Sequence, residues 1–366
     1  MIEQGKISTL QMNVILFPTI LATAVLSVPS ITMAFAGHDM WLSPLLASPV
    51  GLLAIAIAYR LNKRYPHLSP IESSVLILGR LPGKLFGLFF LLYFPHLNGI
   101  VLREYGEFIL SAILPGTPLF VVMGSLMFVC ALNVVSGIEV LGRTGIILVT
   151  LMATLLILIL LLLIPEMDPA EWLPFAEKGI QPVLLGAFAP ASWLSEYVLI
   201  GFLLPFVSNR QRVWKSSMIS LAVTTFTMVA VNISCLLLFG DVTDRFVFPF
   251  MIATRYISYA DFLQHIEALI IAIWITGIFI KISVLHYIHA LTVAQWLNLK
   301  DYRPLVFPLA FLTVAYSFWV ISSQSEIGSL LGSTGNLYTL FSLVFLPGML
   351  LLVASIRNSR ASALRR

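Results

Sequence analysis

Lys281 stands near the middle of a mostly apolar stretch, 263–290, where an ammonium group has no obvious route to water. Placing a charge at that depth in a bilayer costs about 2.5–3.5 kcal/mol, so such a residue is kept for binding or proton transfer. Glu267, Trp274 and Lys281 recur at intervals of seven and share one helical face. His96, Arg103 and Glu107 are spaced by seven and four, which gives a second polar stripe. That stripe either faces a central cavity or, with Glu104, forms an ion-pair set near the outer interface. The interfacial reading is preferred for Glu104 and Glu107, and both readings stay open for His96 and Arg103. Glu196 is placed either to hydrogen-bond freed backbone or to pair with a buried cation. His286 and His289 lie three apart, but no third or fourth metal ligand accompanies them, so they read as an interfacial pair. No phosphate loop, dinucleotide fingerprint, HExxH motif or nucleophile elbow is present. The chemistry on offer is therefore ligand or ion binding inside a membrane, not catalysis, and no cofactor is implied.

The elements that must hold these residues follow from composition. Of 366 residues, 59% are hydrophobic and only 10% are charged, against about 25% charged in soluble domains. Ten apolar runs can be marked, at approximately 10–34, 42–60, 85–112, 118–136, 144–164, 183–206, 217–239, 263–290, 304–321 and 335–356. Lipid offers backbone groups no partners, so these runs are expected to be helices, and they are too long for barrel strands. Cys130 and Cys235 lie inside apolar runs and read as small core residues. The apolar stretch after Lys6 is too long for a signal peptide and lacks a cleavage site. Trp41, Trp172, Trp214 and Tyr302, at run ends, read as interface anchors.

Charge orients the chain. With a cytoplasmic N-terminus, the inner segments hold sixteen of the 21 basic residues: Lys6; Arg60, Lys63, Arg64, Arg80 and Lys84; Arg143; Arg210, Arg212 and Lys215; Lys300 and Arg303; Arg357, Arg360, Arg365 and Arg366. Only Lys178, Arg245 and Arg255 fall outside. This split predicts an even number of crossings with both termini cytoplasmic. The basic loops, at a net charge of +4, read as topology signals and not as nucleic-acid sites. Outside, 168–182 predicts a partial surface helix, and 241–261, with Arg245, Phe250, Tyr256 and Tyr259, an amphipathic or re-entrant cap.

Two runs carry a proline near the middle. Pro29 interrupts the first, and Pro190, among small neighbours, the sixth. The two runs are five crossings apart, in matching positions of two oppositely oriented halves, approximately 8–165 and 180–356. That is the pattern of an inverted-repeat transporter with a midplane site between discontinuous helices. The fold expected is one all-α membrane domain, 1–366, with ten crossings and broken helices 1 and 6. Freed N–H and C=O groups at the two breaks suit a zwitterion. The pocket is expected at Ala24, Leu26 and Ser27 of span 1 and at Ala187, Phe188 and Ala189 of span 6, with Asn98 and Glu196 as further members. The alternative is that both prolines are simple kinks.

Several stretches together resemble one family. They are Pro18–Pro29; Arg64–Leu68 with Gly79–Lys84; Ser136–Arg143; Trp193–Glu196; and Gln264–Glu267 followed by Trp274. In order and spacing they resemble the B subunit of Ger-type nutrient germinant receptors of spore-forming bacteria, the endospore germination permeases of the amino acid–polyamine–organocation superfamily. Family members often carry glycine at the first break, where Ala22, Ala24 and Val25 stand here. The resemblance implies a leucine-transporter fold and a location in the spore inner membrane. It implies recognition of a small nutrient, an amino acid first, and partnership with a membrane-embedded A subunit and a lipoprotein C subunit. Sodium-coupled members of that fold hold an ion between helices 1 and 8. Lys281 lies at that depth, so its ammonium is a candidate sodium substitute, bonded to carbonyls freed near Val25–Val28; the alternative is a lysine snorkelling to the inner face. Arg103 and Glu267 are candidates for coupling. A true amino-acid transporter remains the second functional reading.

Overall fold

The computed structural model describes residues 2–174, 177, 179–257, 267–321, 326, 328, 330 and 332–363. Lys178, Tyr259, Gln264, His265, Ile266, Arg365 and Arg366 lie outside the described residues, as do the side chains of Glu267 and Arg360. Described helices are α1 (Thr9–Ala36), α2 (Leu42–Arg64), α3 (Pro70–Leu78), α4 (Arg80–Ala112), α5 (Leu119–Val135), α6 (Ile138–Leu163), α7 (Ile180–Gly186), α8 (Phe188–Ser195), α9 (Ile200–Leu203), α10 (Val213–Phe239), α11 (Pro249–Ala253), α12 (Glu267–Trp296), α13 (Arg303–Val320), α14 (Thr334–Leu340) and α15 (Leu346–Ala363). Among the described residues there is no strand, only one isolated parallel bridge between Ile7 and Val207. Eight helical segments are long and apolar enough to cross a membrane, which makes this a multi-pass membrane protein. One of the eight, Thr9–Arg64, contains both α1 and α2, joined by the 3-10 turn Gly37–Trp41.

Helix α1 does not break at Pro29. It runs continuously through Pro18 and Pro29. Around Pro29, Ser30 Oγ donates to the Ser27 carbonyl (3.1 Å) and Thr32 Oγ1 to that of Val28 (2.7 Å), while the carbonyl that Pro29 leaves without its helical donor is that of Val25. The sixth span is segmented as expected: α7 ends at Gly186 and α8 starts at Phe188, with Ala187 between them, and Pro190 lacks the N–H that would bond the Gly186 carbonyl. The chain leaves α-geometry a second time in a 3-10 turn at Glu196–Leu199, between α8 and α9. The last span also departs from regularity: a π-turn at Phe341–Phe345 separates α14 from α15, and such bulges cluster at functional sites.

The stretch read as a plain loop between spans 2 and 3 holds α3, started by a capping box in which Glu72 N donates to Ser69 Oγ (3.2 Å) and Ser69 N to Glu72 Oε2 (3.0 Å). In 168–182, a 3-10 turn at Pro169–Trp172 brings Trp172 to 5.4 Å from Trp41. Of 241–261, the described part is a 3-10 turn to Arg245, the short α11 and a 3-10 turn at Thr254–Tyr256.

Tyr302 is not an interface anchor. It is fully buried, and its hydroxyl donates to Glu3 Oε2 at 2.9 Å. Glu3, itself buried, also accepts from Gly5 N (2.7 Å) and Ile138 N (3.2 Å), and lies 3.9 Å from Arg303. One carboxylate thus ties the N-terminus to the starts of α6 and α13. Glu3→Gln weakens these charge-assisted bonds and is expected to lower stability by about 1–3 kcal/mol, measured as earlier thermal unfolding in detergent. Unchanged unfolding would show that the tie carries no stability.

Candidate functional site

Lys281 emerges from the middle of α12 and is 1% exposed. It neither snorkels nor reaches backbone carbonyls of α1. Its Nζ donates to both oxygens of Glu196, at 2.9 and 3.0 Å, and to Thr23 Oγ1 at 3.3 Å. Burying two charges is costly unless geometry and extra hydrogen bonds are good. Here both carboxylate oxygens are engaged and a hydroxyl adds a third acceptor. Thr23 also accepts from Trp193 Nε1 at 2.9 Å. Three segments, α1, α8 with the turn that follows it, and α12, are therefore tied by side chains around one ion pair. Glu196 stands at the first position of the 3-10 turn, so the pair holds the sixth span where its helix loosens.

Beside this pair lies a cavity with free space of about 50 Å³, room for a few water molecules. Its polar wall comprises Thr23, Glu104, Ser192, Glu196, Lys281, Asn336 and Thr339, with Trp193 and Tyr338 as aromatic faces. Ser192 Oγ donates to Asn336 Oδ1 at 2.9 Å, which joins α8 to α14. Tyr338 packs on His96 and Tyr93 at ring distances of 5.1 and 5.3 Å. Glu104 is buried at 2% exposure, and its Oε1 has no hydrogen-bond partner among the described residues. That overturns the expectation of an interfacial Glu104.

The residues expected to form the pocket divide. Glu196 lines the cavity, and so does Lys281, expected as a sodium substitute. Ala24, Leu26 and Ser27 are buried within continuous α1 and do not; Thr23, one residue earlier, takes their place. Ala187 and Ala189 are buried before the site is reached, and Phe188 is exposed at 46%. The wall begins a turn later, at Ser192. Asn98 is fully buried, outside the wall, with neither amide atom hydrogen-bonded among the described residues. Arg103 bonds Glu107 along α4 (2.7 Å) and packs over Phe318. Glu267 opens the described part of α12, its side chain outside the described residues. His286 and His289 are buried, not interfacial; His286 Nε2 lies 3.0 Å from the Val306 carbonyl. Among the described residues no group of three His, Cys, Asp or Glu is placed to hold a metal ion.

Thr23, Glu104, Ser192, Trp193, Asn336 and Tyr338 were not expected to line a site. A signal existed for part of the set: Ser192 and Glu196 are four apart, so they share a face with the break-point carboxylate.

A family model described as "Spore germination protein" matches residues 6–326. Spore germination protein KB of Bacillus subtilis (strain 168) is 30% identical over 333 residues, covering 88% of this chain and 87% of that protein. Spore germination protein YndE of the same strain is 25% identical over 360 residues, covering 97% and 98%. Among solved structures, the nucleobase-cation-symport-1 family transporter Mhp1 superposes with a TM-score of 0.66 at 12% identity, over 95% of this chain and 78% of that one. MhsT in complex with L-phenylalanine gives 0.65 at 13%, over 96% and 99%. A Na+-coupled sialic acid symporter gives 0.61 at 14%, over 93% and 79%. These three share the leucine-transporter architecture, and the likeness establishes the fold alone.

Proposed function

The chain belongs to the spore germination protein family, and from that premise we propose that it is the ligand-binding B subunit of a nutrient germinant receptor. It takes a small polar nutrient, with amino acids the first class to test, into the cavity beside Lys281. The observation that carries this reading is the buried Lys281–Glu196 pair at the loosened turn of the sixth span, opening onto a polar cavity in an apolar bundle. Binding there changes the relative stability of two helix arrangements. The preference is then passed to a membrane-embedded A subunit and a lipoprotein C subunit. A ligand shifts such an equilibrium only by its differential affinity for the two states.

The same reading includes a single domain of ten crossings, built from inverted repeats of approximately 8–165 and 180–356. It places both termini in the cytoplasm and the chain in the spore inner membrane. Supporting it, Thr9–Arg64 supplies two helices, and Leu119–Val135 is a further, shorter apolar helix beside the other long segments. The cavity wall draws on α1, α4, α8, α12 and α14, elements from both proposed halves.

The test is direct. Spores lacking this chain are screened for germination with single amino acids and sugars, and the purified chain is screened with the same compounds by thermal unfolding. Loss of one nutrient response, matched by stabilisation with that nutrient, is expected; no effect in either assay would remove the reading. The second reading is an amino-acid transporter, which the solved neighbours support only through their fold. Concentrative, saturable uptake into proteoliposomes would establish it.

Lys281 places its Nζ beside α1, bonded to Thr23 Oγ1 and to both Glu196 oxygens, so in this reading no metal cation is needed there. Exchange of sodium for potassium is expected to leave the nutrient-induced shift in unfolding temperature unchanged. A tenfold or larger sodium dependence of the midpoint would refute this role of Lys281.

A further inference from the structure

The cavity wall holds two carboxyl groups and one ammonium. Glu196 and Lys281 neutralise each other through two short hydrogen bonds. Glu104, from α4, lines the same space, and among the described residues no cation pairs with it. Its neighbour Arg103 is turned to Glu107, with Nε donating at 2.8 Å. The remaining polar wall, Thr23, Ser192, Asn336, Tyr338 and Thr339, is neutral. Two carboxyl groups thus share one buried cavity with a single ammonium. A buried carboxylate oxygen without a donor is costly, and the cost is relieved by any ligand that brings a positively charged donor.

We propose that Glu104 is the ligand's ammonium anchor: the nutrient recognised by this chain carries a free amine, whose N–H groups donate to the Glu104 carboxylate across the cavity from the Lys281–Glu196 pair. The inference rests on the cavity being the nutrient site, and it narrows the ligand class. Sugars, nucleosides, hydroxy acids and N-acylated amino acids lack the charged donor and are rejected, because they leave Glu104 unmatched.

The test uses the purified full chain in lipid nanodiscs. Thermal unfolding and tryptophan fluorescence, with Trp193→Phe as the control that isolates the cavity's contribution among seven tryptophans, are followed with four sets of probes: the free L-amino acids, their N-acetyl derivatives, the corresponding 2-hydroxy acids, and glucose with inosine. At least one free amino acid is expected to bind saturably, while its N-acetyl and hydroxy counterparts do not. Glu104→Gln is expected to weaken that binding about ten- to a hundredfold, the worth of a charge-assisted hydrogen bond. Its unliganded unfolding temperature is expected to stay the same or rise, since an unmatched charge is removed. Glu104→Asp is expected to keep part of the affinity.

Equal binding of a hydroxy acid or sugar, or full affinity in Glu104→Gln, overturns the proposal. If Ser192→Ala and Trp193→Phe weaken amine binding while Glu104→Gln does not, the cavity stands as the site and the anchor assignment falls. If no probe shifts the wild-type chain, both fall.

Discussion

Lys281→Met is expected to cost about 3–5 kcal/mol of stability, the penalty for leaving one member of a buried ion pair alone. Glu196 would remain 2% exposed, with two oxygens that have lost their ammonium donor. Thr23 would lose one of its two donors and keep only Trp193 Nε1. The discriminating variant is the double substitution Glu196→Met with Lys281→Met. If the single variants suffer because a charge is stranded, the double variant loses less than either alone, as replacing a whole buried pair by apolar groups is often neutral or better. Thermal unfolding of the four proteins in detergent gives the cycle directly. Losses that simply add would mean that Lys281 and Glu196 do not act as a pair. Nutrient response is expected to vanish in all three variants, including a restabilised double, because the pair forms one wall of the cavity.

The second large effect is expected at Gly277. Helices α1 and α12 cross there so closely that a Cβ on residue 277 would lie 2.9 Å from Ala22 Cβ and 3.3 Å from Met152 Sδ. Ordinary contacts between such atoms begin near 3.5 Å. Gly277→Leu therefore drives α1 away from α12. The displaced neighbour of Ala22 is Thr23, whose 3.3 Å bond to Lys281 is among the first to break. Overpacking is expected to cost about 1–3 kcal/mol in stability and to reduce nutrient affinity at least tenfold. Gly277→Ala is the graded case, and Ala22→Gly in the same chain is expected to relieve it. Binding by Gly277→Leu that matches wild type would mean that the α1–α12 separation does not set the site.

The apolar runs told their story because lipid permits few alternatives. The run 42–60 became Leu42–Arg64 and 144–164 became Ile138–Leu163, each extended into its polar flank, where hydropathy falls but backbone hydrogen bonding continues. Lys281 and Glu196 were both conspicuous because charge in an apolar run has few uses. That they bond each other was not readable, since they lie 85 residues apart on different elements. Of the two prolines only Pro29 misled: Pro190 coincides with an interruption at Ala187, whereas α1 runs through Pro29. A proline removes one donor, and a helix held by its neighbours carries that loss without unwinding, so composition alone does not locate an unwound turn. On α4, a one-residue error mattered most. The stripe through His96, Arg103 and Glu107 was visible, yet the cavity meets Leu97, Ile100, Val101 and Glu104, a face rotated by about one residue, or roughly 100° of helix.

The parallel bridge at the N-terminus has a mechanical consequence. Ile7 N donates to the Phe206 carbonyl and Ser208 N to that of Ile7, both at 3.0 Å, immediately before α1 begins and just after the sixth span ends. These two membrane segments are stitched together at one rim of the protein, so they tilt as a unit unless the stitch is undone. A cargo protein fused ahead of Met1, or deletion of the first seven residues, would load or cut that seam.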